Sequence, residues 1–137
     1  MTLQALIFDV DGTLYDYKRH RVHLLPLVLS QPRLLLKYRE VVAGLRGETH
    51  DDLRAELCRR IGAQVGLPEE RVNQKLNHSV YGAWPASFRP STALRDLSLL
   101  LRVIDAQGVP RGVISDHPAH AKLENMGLSD GWGAVID

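Results

Sequence analysis

Residues 6–16, "LIFDVDGTLYD", decide how the rest of the sequence is interpreted. The apolar residues at the start of this stretch indicate a short buried strand, and turn residues follow directly. Two carboxylates, Asp9 and Asp11, stand two positions apart where that strand ends. Like charges at this spacing repel each other, and burying them costs free energy unless protons or a cation intervene. The pair therefore indicates a chemical site at the end of the strand.

The composition excludes several broad classes of protein. The chain has 137 residues, of which 45% are hydrophobic and 24% charged, as in ordinary globular domains. A net charge of +1 gives no argument for a nucleic-acid or membrane partner. No segment resembles a signal peptide or a membrane span, so we expect a cytoplasmic location. The single cysteine, Cys58, cannot form an intramolecular disulfide, and its helical spacing predicts a buried thiol.

Residues 16–84 carry helical patterns. Apolar residues recur at helical spacing in "RLLLKYREVVAGL", residues 33–45. Two further stripes follow, formed by Leu53, Leu57, Ile61 and Val65 and by Val72, Leu76 and Val80. Thr49 with Asp52 resembles a capping box before the second of these helices.

The segment after the helical block is rich in Gly, Pro and aromatic residues, and it predicts a linker over residues 81–91. Pro90 is expected to open another helix, which ends at Gly108. Its inward positions would be Leu94, Leu97, Leu101 and Ile104.

Two more strands are expected near the end of the sequence. "RGVISD" (residues 111–116) and "GAVID" (residues 133–137) are short apolar runs separated by a helical segment. The order of strand, helical insert, helix, strand, helix and strand predicts an α/β fold with a parallel sheet of about three strands. Ligands of such sheets bind beyond the carboxyl ends of the strands, and Asp9, Asp11, Ser115 and Asp116 all fall there.

The two carboxylates could bind a hard cation, and they could take different roles in a reaction. Mg²⁺ takes oxygen ligands and commonly uses one or two carboxylates together with substrate phosphate oxygens. One carboxylate would attack while the other transfers a proton. Gly12 permits a sharp turn, and Thr13 offers a hydroxyl and an amide to an anion.

The stretch "DVDGTLYD", residues 9–16, resembles the first motif of the haloacid dehalogenase-like (HAD) superfamily. "VISD", residues 113–116, is similar to the second motif of that superfamily. A helical insert directly after the first motif resembles the cap of the phosphoglycolate phosphatase and beta-phosphoglucomutase branch. The resemblance implies a Rossmann-like HAD core from residues 1–15 and 86–137, with residues 16–85 as an inserted α-helical cap.

The resemblance also implies roles for individual residues. Asp9 would be the nucleophile that forms an aspartyl-phosphate and would bind Mg²⁺. Asp11 would be the general acid and then base, with its backbone carbonyl on the metal. Ser115 would hold a phosphoryl oxygen, and Gly12 and Thr13 would shape the phosphate pocket. The implied function is Mg²⁺-dependent hydrolysis of a small phosphorylated metabolite.

Ser115 and Asp116 also have ordinary structural interpretations. A hydroxyl at the end of a strand can cap the following helix, which is the alternative for Ser115. Asp116 replaces the Asn often found at that place in the family, and it would either cap the helix or alter the acidic site. We nevertheless count both among the phosphate-binding candidates.

Two parts of the family's machinery are missing from this sequence. The family has a lysine that steadies the aspartyl-phosphate and further acidic residues at the metal, and both come after the third strand. We therefore expect a truncated chain that is slow or inactive alone. Lys122 follows the second motif too closely to match that lysine, so we expect it to face solvent. A functional role for Lys122 is the less favoured alternative.

The sheet of the family flanks its first strand on both sides, so the resemblance implies that without the later strands the first strand here becomes an apolar edge. Such an edge is a template for pairing with another chain. The alternative function is therefore a binding module with little turnover, which forms a homodimer or pairs with a complementing chain. A basic cluster after the first motif, at Lys18, Arg19, His20, Arg21 and His23, would either attract a phosphorylated substrate or form a solvated helix face, and we favour the second.

Overall fold

The structure, a computed structural model, describes residues 3–137. The chain divides into two compact units. We call Met1–Leu24 with Ala83–Asp137 the sheet unit, and Leu25–Gly82 the helical unit.

The sheet unit is built on three parallel strands in the order β1 (Leu6–Asp9), β2 (Arg111–Ile114) and β3 (Ala134–Ile136). This arrangement confirms the predicted α/β fold with a parallel sheet of about three strands. Asp9 at the end of β1 pairs in register with Ile114 at the end of β2. The loops that follow these two strands therefore leave the same edge of the sheet side by side.

β1 lies at one side of the sheet and pairs, within the described residues, with β2 alone. Its first three side chains are apolar, and Ile7 is 71% exposed. Phe8, on the other face, packs edge to face against Trp132 with the ring centroids 6.0 Å apart. One face of β1 is thus covered, while Ile7 on the other is exposed.

Three helices complete the sheet unit: α5 (Trp84–Ala86), α6 (Leu97–Ala106) and α7 (Ala119–Met126). They bury a core around the sheet whose largest members are Leu14, Tyr15, Phe88, Leu97, Leu101, Ile104, Leu123 and Met126. Helix α1 (Tyr17–Ser30) begins in the sheet unit and continues into the helical unit.

The prediction that Pro90 opens a long helix is wrong. Pro90–Thr92 is a single 3₁₀ turn, and α6 begins only at Leu97. The intervening backbone is drawn into extended pairing with the loop after β1, because Leu94 N–H donates to the Leu14 carbonyl at 3.1 Å. Asp16 N–H likewise donates to the Thr92 carbonyl at 2.9 Å. Leu94 is therefore 44% exposed and takes no inward position.

The helical unit contains α2 (Pro32–Leu45), α3 (Leu53–Val65) and α4 (Glu69–His78), followed by a π-helical turn at Ser79–Ala83. The predicted stripe of Val72, Leu76 and Val80 is confirmed, since each is completely buried. The predicted stripe of α3 is confirmed at Leu57 and Ile61 but not at Leu53, which is 56% exposed. Cys58 is buried, as predicted.

Two local predictions about the helices are wrong. Asp52 is itself the N-cap of α3 and accepts a hydrogen bond from Ala55 N–H at 2.9 Å, so Thr49 does not form a capping box with it. The predicted linker over residues 81–91 is mostly helical, because the π-helical turn runs directly into α5. Pro85 is tolerated there because it lies in the first turn of α5, where its missing N–H costs no helical hydrogen bond.

No helix in the described part of the chain, residues 3–137, is long and apolar enough to cross a membrane.

Candidate active site

The candidate site lies where β1 and β2 end. Asp9 is the last residue of β1, and its side chain is exposed. Gly12 has a φ of +83°, a left-handed conformation that favours glycine and turns the chain back. The turn places Thr13 Oγ1 3.4 Å from Asp9 Oδ2, to which it donates a long hydrogen bond. The sharp turn predicted at Gly12 is therefore present, and it brings the Thr13 hydroxyl beside Asp9. The role of both residues in a phosphate pocket stays a prediction.

Asp11 is held by three donors from three different segments. Its Oδ2 accepts hydrogen bonds from Lys122 Nζ at 2.5 Å and from Ser115 Oγ at 3.1 Å. Its Oδ1 accepts a hydrogen bond from the Tyr15 hydroxyl at 3.2 Å. The Nδ1 of His117 lies 3.9 Å from Oδ2. Asp11 and Ser115, which are 104 positions apart in sequence, are therefore brought together as expected for one site.

Lys122 does not face solvent, and that prediction is wrong. Its side chain has no exposed surface, and its ammonium lies between Asp11 and Ser115, 3.3 Å from Ser115 Oγ. α7 turns one face inward, and Ala119, Lys122, Leu123 and Met126 are the buried residues of that face. The sequence spacing indicates this burial, because Lys122 stands three residues after Ala119 and four before Met126, which places it on the same helix face.

The pKa values of Asp11 and Lys122 each result from opposing effects. Burial favours the neutral form of Asp11, but the hydrogen bond and charge of Lys122, with help from Ser115 and His117, hold its pKa below the usual range. Burial lowers the pKa of Lys122, and the nearby carboxylates of Asp11, Asp9 and Asp116 oppose that effect. The negative charge of Asp9 therefore reaches Lys122 although no hydrogen bond joins the two.

Aromatic rings enclose the site on its inner side. The rings of Trp84 and Phe88 both have their centroids 6.0 Å from Lys122 Nζ. Trp84 also lies against His117, with ring centroids 5.0 Å apart. For Tyr15, burial and then the carboxylate of Asp11 raise the pKa of the phenol, so it remains a hydrogen-bond donor.

His20 lies inside the sheet unit, so this residue of the basic cluster does not belong to a solvated face. Its ring stacks on Phe88 at 3.8 Å between centroids, and its Nε2 is 2.8 Å from Ser87 Oγ. Burial, with the charge of His23 as a smaller cause, lowers the pKa of His20 to about 4. His20 thus packs behind Tyr15 as a neutral ring, 5.1 Å between centroids.

Neither Ser115 nor Asp116 occupies the N-cap position of α7, so the capping alternatives do not describe the start of this helix. Asp116 is exposed, and the N-cap position of α7 belongs to Pro118. The first helical N–H, that of Ala119, donates to Asp137 Oδ2 at 2.6 Å. From the backbone just before α7, Ser115 Oγ accepts a long bond, 3.3 Å, from His117 N–H. Helix α7, which carries Lys122, is therefore anchored by a carboxylate that follows β3.

The donor set at this edge fits a magnesium ion that shares its coordination with substrate and water. In residues 3–137, no three His, Cys, Asp or Glu side chains lie close enough to hold a metal ion by themselves. Mg²⁺ does not need such a cage, since one or two protein oxygens with phosphate oxygens are sufficient. The exposed carboxylate of Asp9 would provide one oxygen. The Asp11 carboxylate already accepts hydrogen bonds on both oxygens, and the resemblance implies its backbone carbonyl as the second ligand.

Solved structures of several enzymes resemble this chain over nearly its whole length. β-Phosphoglucomutase from Clostridium difficile matches with a TM-score of 0.58 and 19% identity, over 98% of this chain and 61% of the enzyme. L-2-haloacid dehalogenase from Xanthobacter autotrophicus matches with a TM-score of 0.51 and 18% identity, over 99% and 57%. A predicted phosphoglycolate phosphatase from Haemophilus somnus matches with a TM-score of 0.50 and 18% identity, over 99% and 63%.

These similarities establish the fold. The chain has the α/β fold of the haloacid dehalogenase-like proteins, so the resemblance read from residues 9–16 and 113–116 is confirmed at that level. The chain spans 57% to 63% of the length of these three proteins. No family model matches the sequence, and no curated protein sequence matches it.

Proposed function

We propose that this chain, which has a haloacid dehalogenase-like fold, is a Mg²⁺-dependent phosphomonoester hydrolase that acts through an aspartyl-phosphate on Asp9. The observation that supports this proposal most strongly is the unequal environment of the two carboxylates. Asp9 is exposed at the end of β1, whereas Asp11 is fixed by Lys122, Ser115 and Tyr15. An accessible carboxylate suits a nucleophile, and a positioned one suits proton transfer.

The reaction consists of two displacements at phosphorus. In the first, a carboxylate oxygen of Asp9 bonds to phosphorus, the ester P–O bond breaks, and Asp11 gives its proton to the leaving alkoxide. In the second, Asp11 takes a proton from water, whose oxygen attacks phosphorus. The bond to Asp9 then breaks, and inorganic phosphate leaves. Placing the reacting groups next to each other supplies much of the rate enhancement.

Asp11 must hold a proton in the first displacement, although Lys122 favours its ionised form in the free protein. A phosphate dianion bound beside Asp11 adds negative charge and draws on the same cation. Both effects raise the pKa of the carboxyl group. Substrate binding thus favours the protonated Asp11 that the first displacement requires.

Mg²⁺ would be held by the Asp9 carboxylate and the Asp11 backbone carbonyl, and it would neutralise charge on the phosphoryl oxygens. The chain's own donors complete the phosphate pocket. Ser115 Oγ faces the site from the end of β2, and the turn at Gly12 presents the Thr13 hydroxyl and amide beside Asp9. Asp116 lies at the same edge, and we assign it to the pocket's rim. The substrate class is a small phosphorylated metabolite.

The test is hydrolysis of an aryl phosphate, with and without Mg²⁺, by the purified chain. Asp9→Asn removes the nucleophile and is expected to lower turnover at least about a thousandfold. Asp51→Asn, an exposed residue of the helical unit, is the matched control and should retain turnover. Asp9→Asn with wild-type activity would overturn the proposal.

One observation favours a second function, which is binding through the sheet edge. β1 is an edge strand, and Ile7 on it is 71% exposed. A second copy or a complementing chain would add a strand there. Light scattering of the wild-type chain and of Ile7→Lys tests this alternative. A dimer that becomes a monomer in Ile7→Lys supports it, and a wild-type monomer at all concentrations contradicts the homodimer.

A further inference from the structure

Lys122 differs from every other lysine of the chain. The sequence has four lysines, at positions 18, 37, 75 and 122. The first three are exposed or half-exposed, whereas the side chain of Lys122 has no exposed surface. Burying an ammonium group is unfavourable unless partners compensate, so the burial of Lys122 depends on the groups around it.

The partners of Lys122 do not use all of its hydrogen-bonding capacity. An ammonium group has three N–H donors. Hydrogen bonds to Asp11 and Ser115 use two of them. The aromatic faces of Trp84 and Phe88 lie 6.0 Å away and provide a weaker attraction. A third donor therefore remains for an anion that enters the site.

The position of the ammonium matches the place where a phosphoryl group would arrive. Ser115, the proposed phosphoryl ligand, is 3.3 Å from Lys122 Nζ, and Asp11, the proposed proton donor, is 2.5 Å away. One cation thus contacts both the group proposed to hold the phosphoryl oxygen and the group proposed to transfer the proton.

The surroundings of Lys122 strengthen its effect on an anion. Trp84 and Phe88 exclude water from its inner side, and charges interact more strongly where water is excluded. A cation already fixed by two hydrogen bonds needs little reorganisation when charge develops on the phosphoryl oxygens. A surface lysine on a long flexible stem would lack both advantages.

We propose that Lys122 is a catalytic residue of this site, whose ammonium binds the phosphoryl group that Asp9 receives. This inference rests on the proposed function. It assigns the stabilising cation to α7, directly after the second strand, and replaces the expectation that residues 1–137 lack such a cation. Turnover by the chain is then expected without a lysine from elsewhere.

The first experiment compares Lys122→Met with Lys75→Met in aryl phosphate hydrolysis and in calorimetric binding of inorganic phosphate. Lys75 is an exposed lysine of the helical unit, so its replacement removes the same charge far from the proposed chemistry in the sequence. Lys122→Met should lower kcat about a hundredfold or more and weaken phosphate binding about tenfold. Lys75→Met should change neither. Equal kcat and equal phosphate affinity in the wild-type chain and Lys122→Met would overturn the inference.

A second experiment needs no variant and remains informative if Lys122→Met fails to fold. The ¹⁵Nζ resonances of the four lysines are recorded in the wild-type chain while inorganic phosphate is added in the presence of Mg²⁺. The Lys122 signal should shift with a saturating dependence on phosphate, and the signals of Lys18, Lys37 and Lys75 should not. Saturable phosphate binding without a Lys122 shift would overturn the inference.

The two proposals fail in different ways. In one case, Asp9→Asn abolishes hydrolysis, Lys122→Met retains it and the Lys122 resonance does not shift. The hydrolase proposal is then supported, and the proposed role of Lys122 is contradicted. If phosphate shifts the Lys122 resonance but no Asp9-dependent turnover occurs, Lys122 is a phosphate ligand and the hydrolase proposal falls.

Discussion

The sheet unit and the helical unit differ in where they place their charges. In the sheet unit, Lys122 and Arg111 have almost no exposed surface, and each is paired with a carboxylate. In the helical unit, Arg60 pairs with Glu48 and Glu56 where all three side chains keep access to solvent. A buried ion pair contributes little net stability because of its desolvation cost, but losing one partner is expensive. The sheet unit therefore keeps two charged side chains at buried positions, where each depends on its own carboxylate partner.

The largest expected effect on stability comes from removing the buried ammonium. Lys122→Met leaves the Asp11 carboxylate without its cation, and we expect the free energy of unfolding to fall by about 4 kcal/mol. Urea denaturation at pH 7 measures this change. A loss below about 1 kcal/mol would mean that Asp11 is well solvated, and that the contrast between the units does not hold at this site.

The next effect is a pH dependence that comes from His20. Its pKa of about 4 lies below the ordinary 6.5, so the unfolded chain binds a proton that the folded chain does not bind between these values. Stability is therefore complete above pH 6.5 and falls as the pH drops toward 4, by on the order of 3 kcal/mol. His20→Phe keeps an aromatic ring against Phe88 and removes the titration. Denaturation series at pH 7, 5.5 and 4 should show a shallower decline for His20→Phe, and parallel declines would contradict the assignment.

A smaller effect tests the packing around the second buried cation. Gly131 has a φ of +80°, and a Cβ atom at this position would meet the guanidinium of Arg111 at Nη2. Gly131→Ala is expected to cost about 2 kcal/mol, part of it from backbone strain and part from displacing Arg111.

Gly108→Ala is the matched control for that measurement. Its φ is +65°, but an added Cβ has no heavy atom within 4 Å, so only the backbone strain of about 1 kcal/mol remains. Thermal unfolding of both variants separates the two contributions. Equal losses would show that Arg111 moves aside freely and is not fixed by Asp105.

The smallest effect is expected at the surface of the helical unit. Arg60→Gln removes ion pairs with Glu48 and Glu56 that remain in contact with solvent, so the melting temperature should change little. Thermal unfolding at low and at high salt measures this. A drop as large as that of Lys122→Met would show that these surface pairs act as a cooperative network.

The same contrast explains which features the sequence could predict. The apolar stripe of Val72, Leu76 and Val80 in α4 and its π-helical extension, and the parallel sheet, follow from periodicity, because apolar burial leaves a regular pattern. The pairing of Asp11 with Ser115 was also predictable, since both stand at the ends of strands. These features depend on local sequence and on general rules of strand order.

Other features depended on contacts between distant residues. Lys122 stands on the inward stripe of α7, but its charge argued for solvent, and only a carboxylate 111 positions away makes burial acceptable. The helix predicted from Pro90 failed because backbone groups near Thr92 and Leu94 pair with residues 14–16 instead of forming a helix. Asp137 as the anchor of α7 was likewise not predictable, since no local signal joins residues 119 and 137.

The backbone pairing of residues 92–94 with residues 14–16 has a topological consequence. Within the sheet unit, Tyr15 lies before the long helical segment and Ala93 lies after it, and these two residues form an antiparallel bridge flanked by two backbone hydrogen bonds. Residues 17–91 therefore form a closed loop, fastened at its base by the backbone of the sheet unit. A protease cut inside this loop would leave two fragments still joined by the bridge and the sheet. Such a nicked chain is expected to migrate as one species under native conditions and to separate only in denaturant.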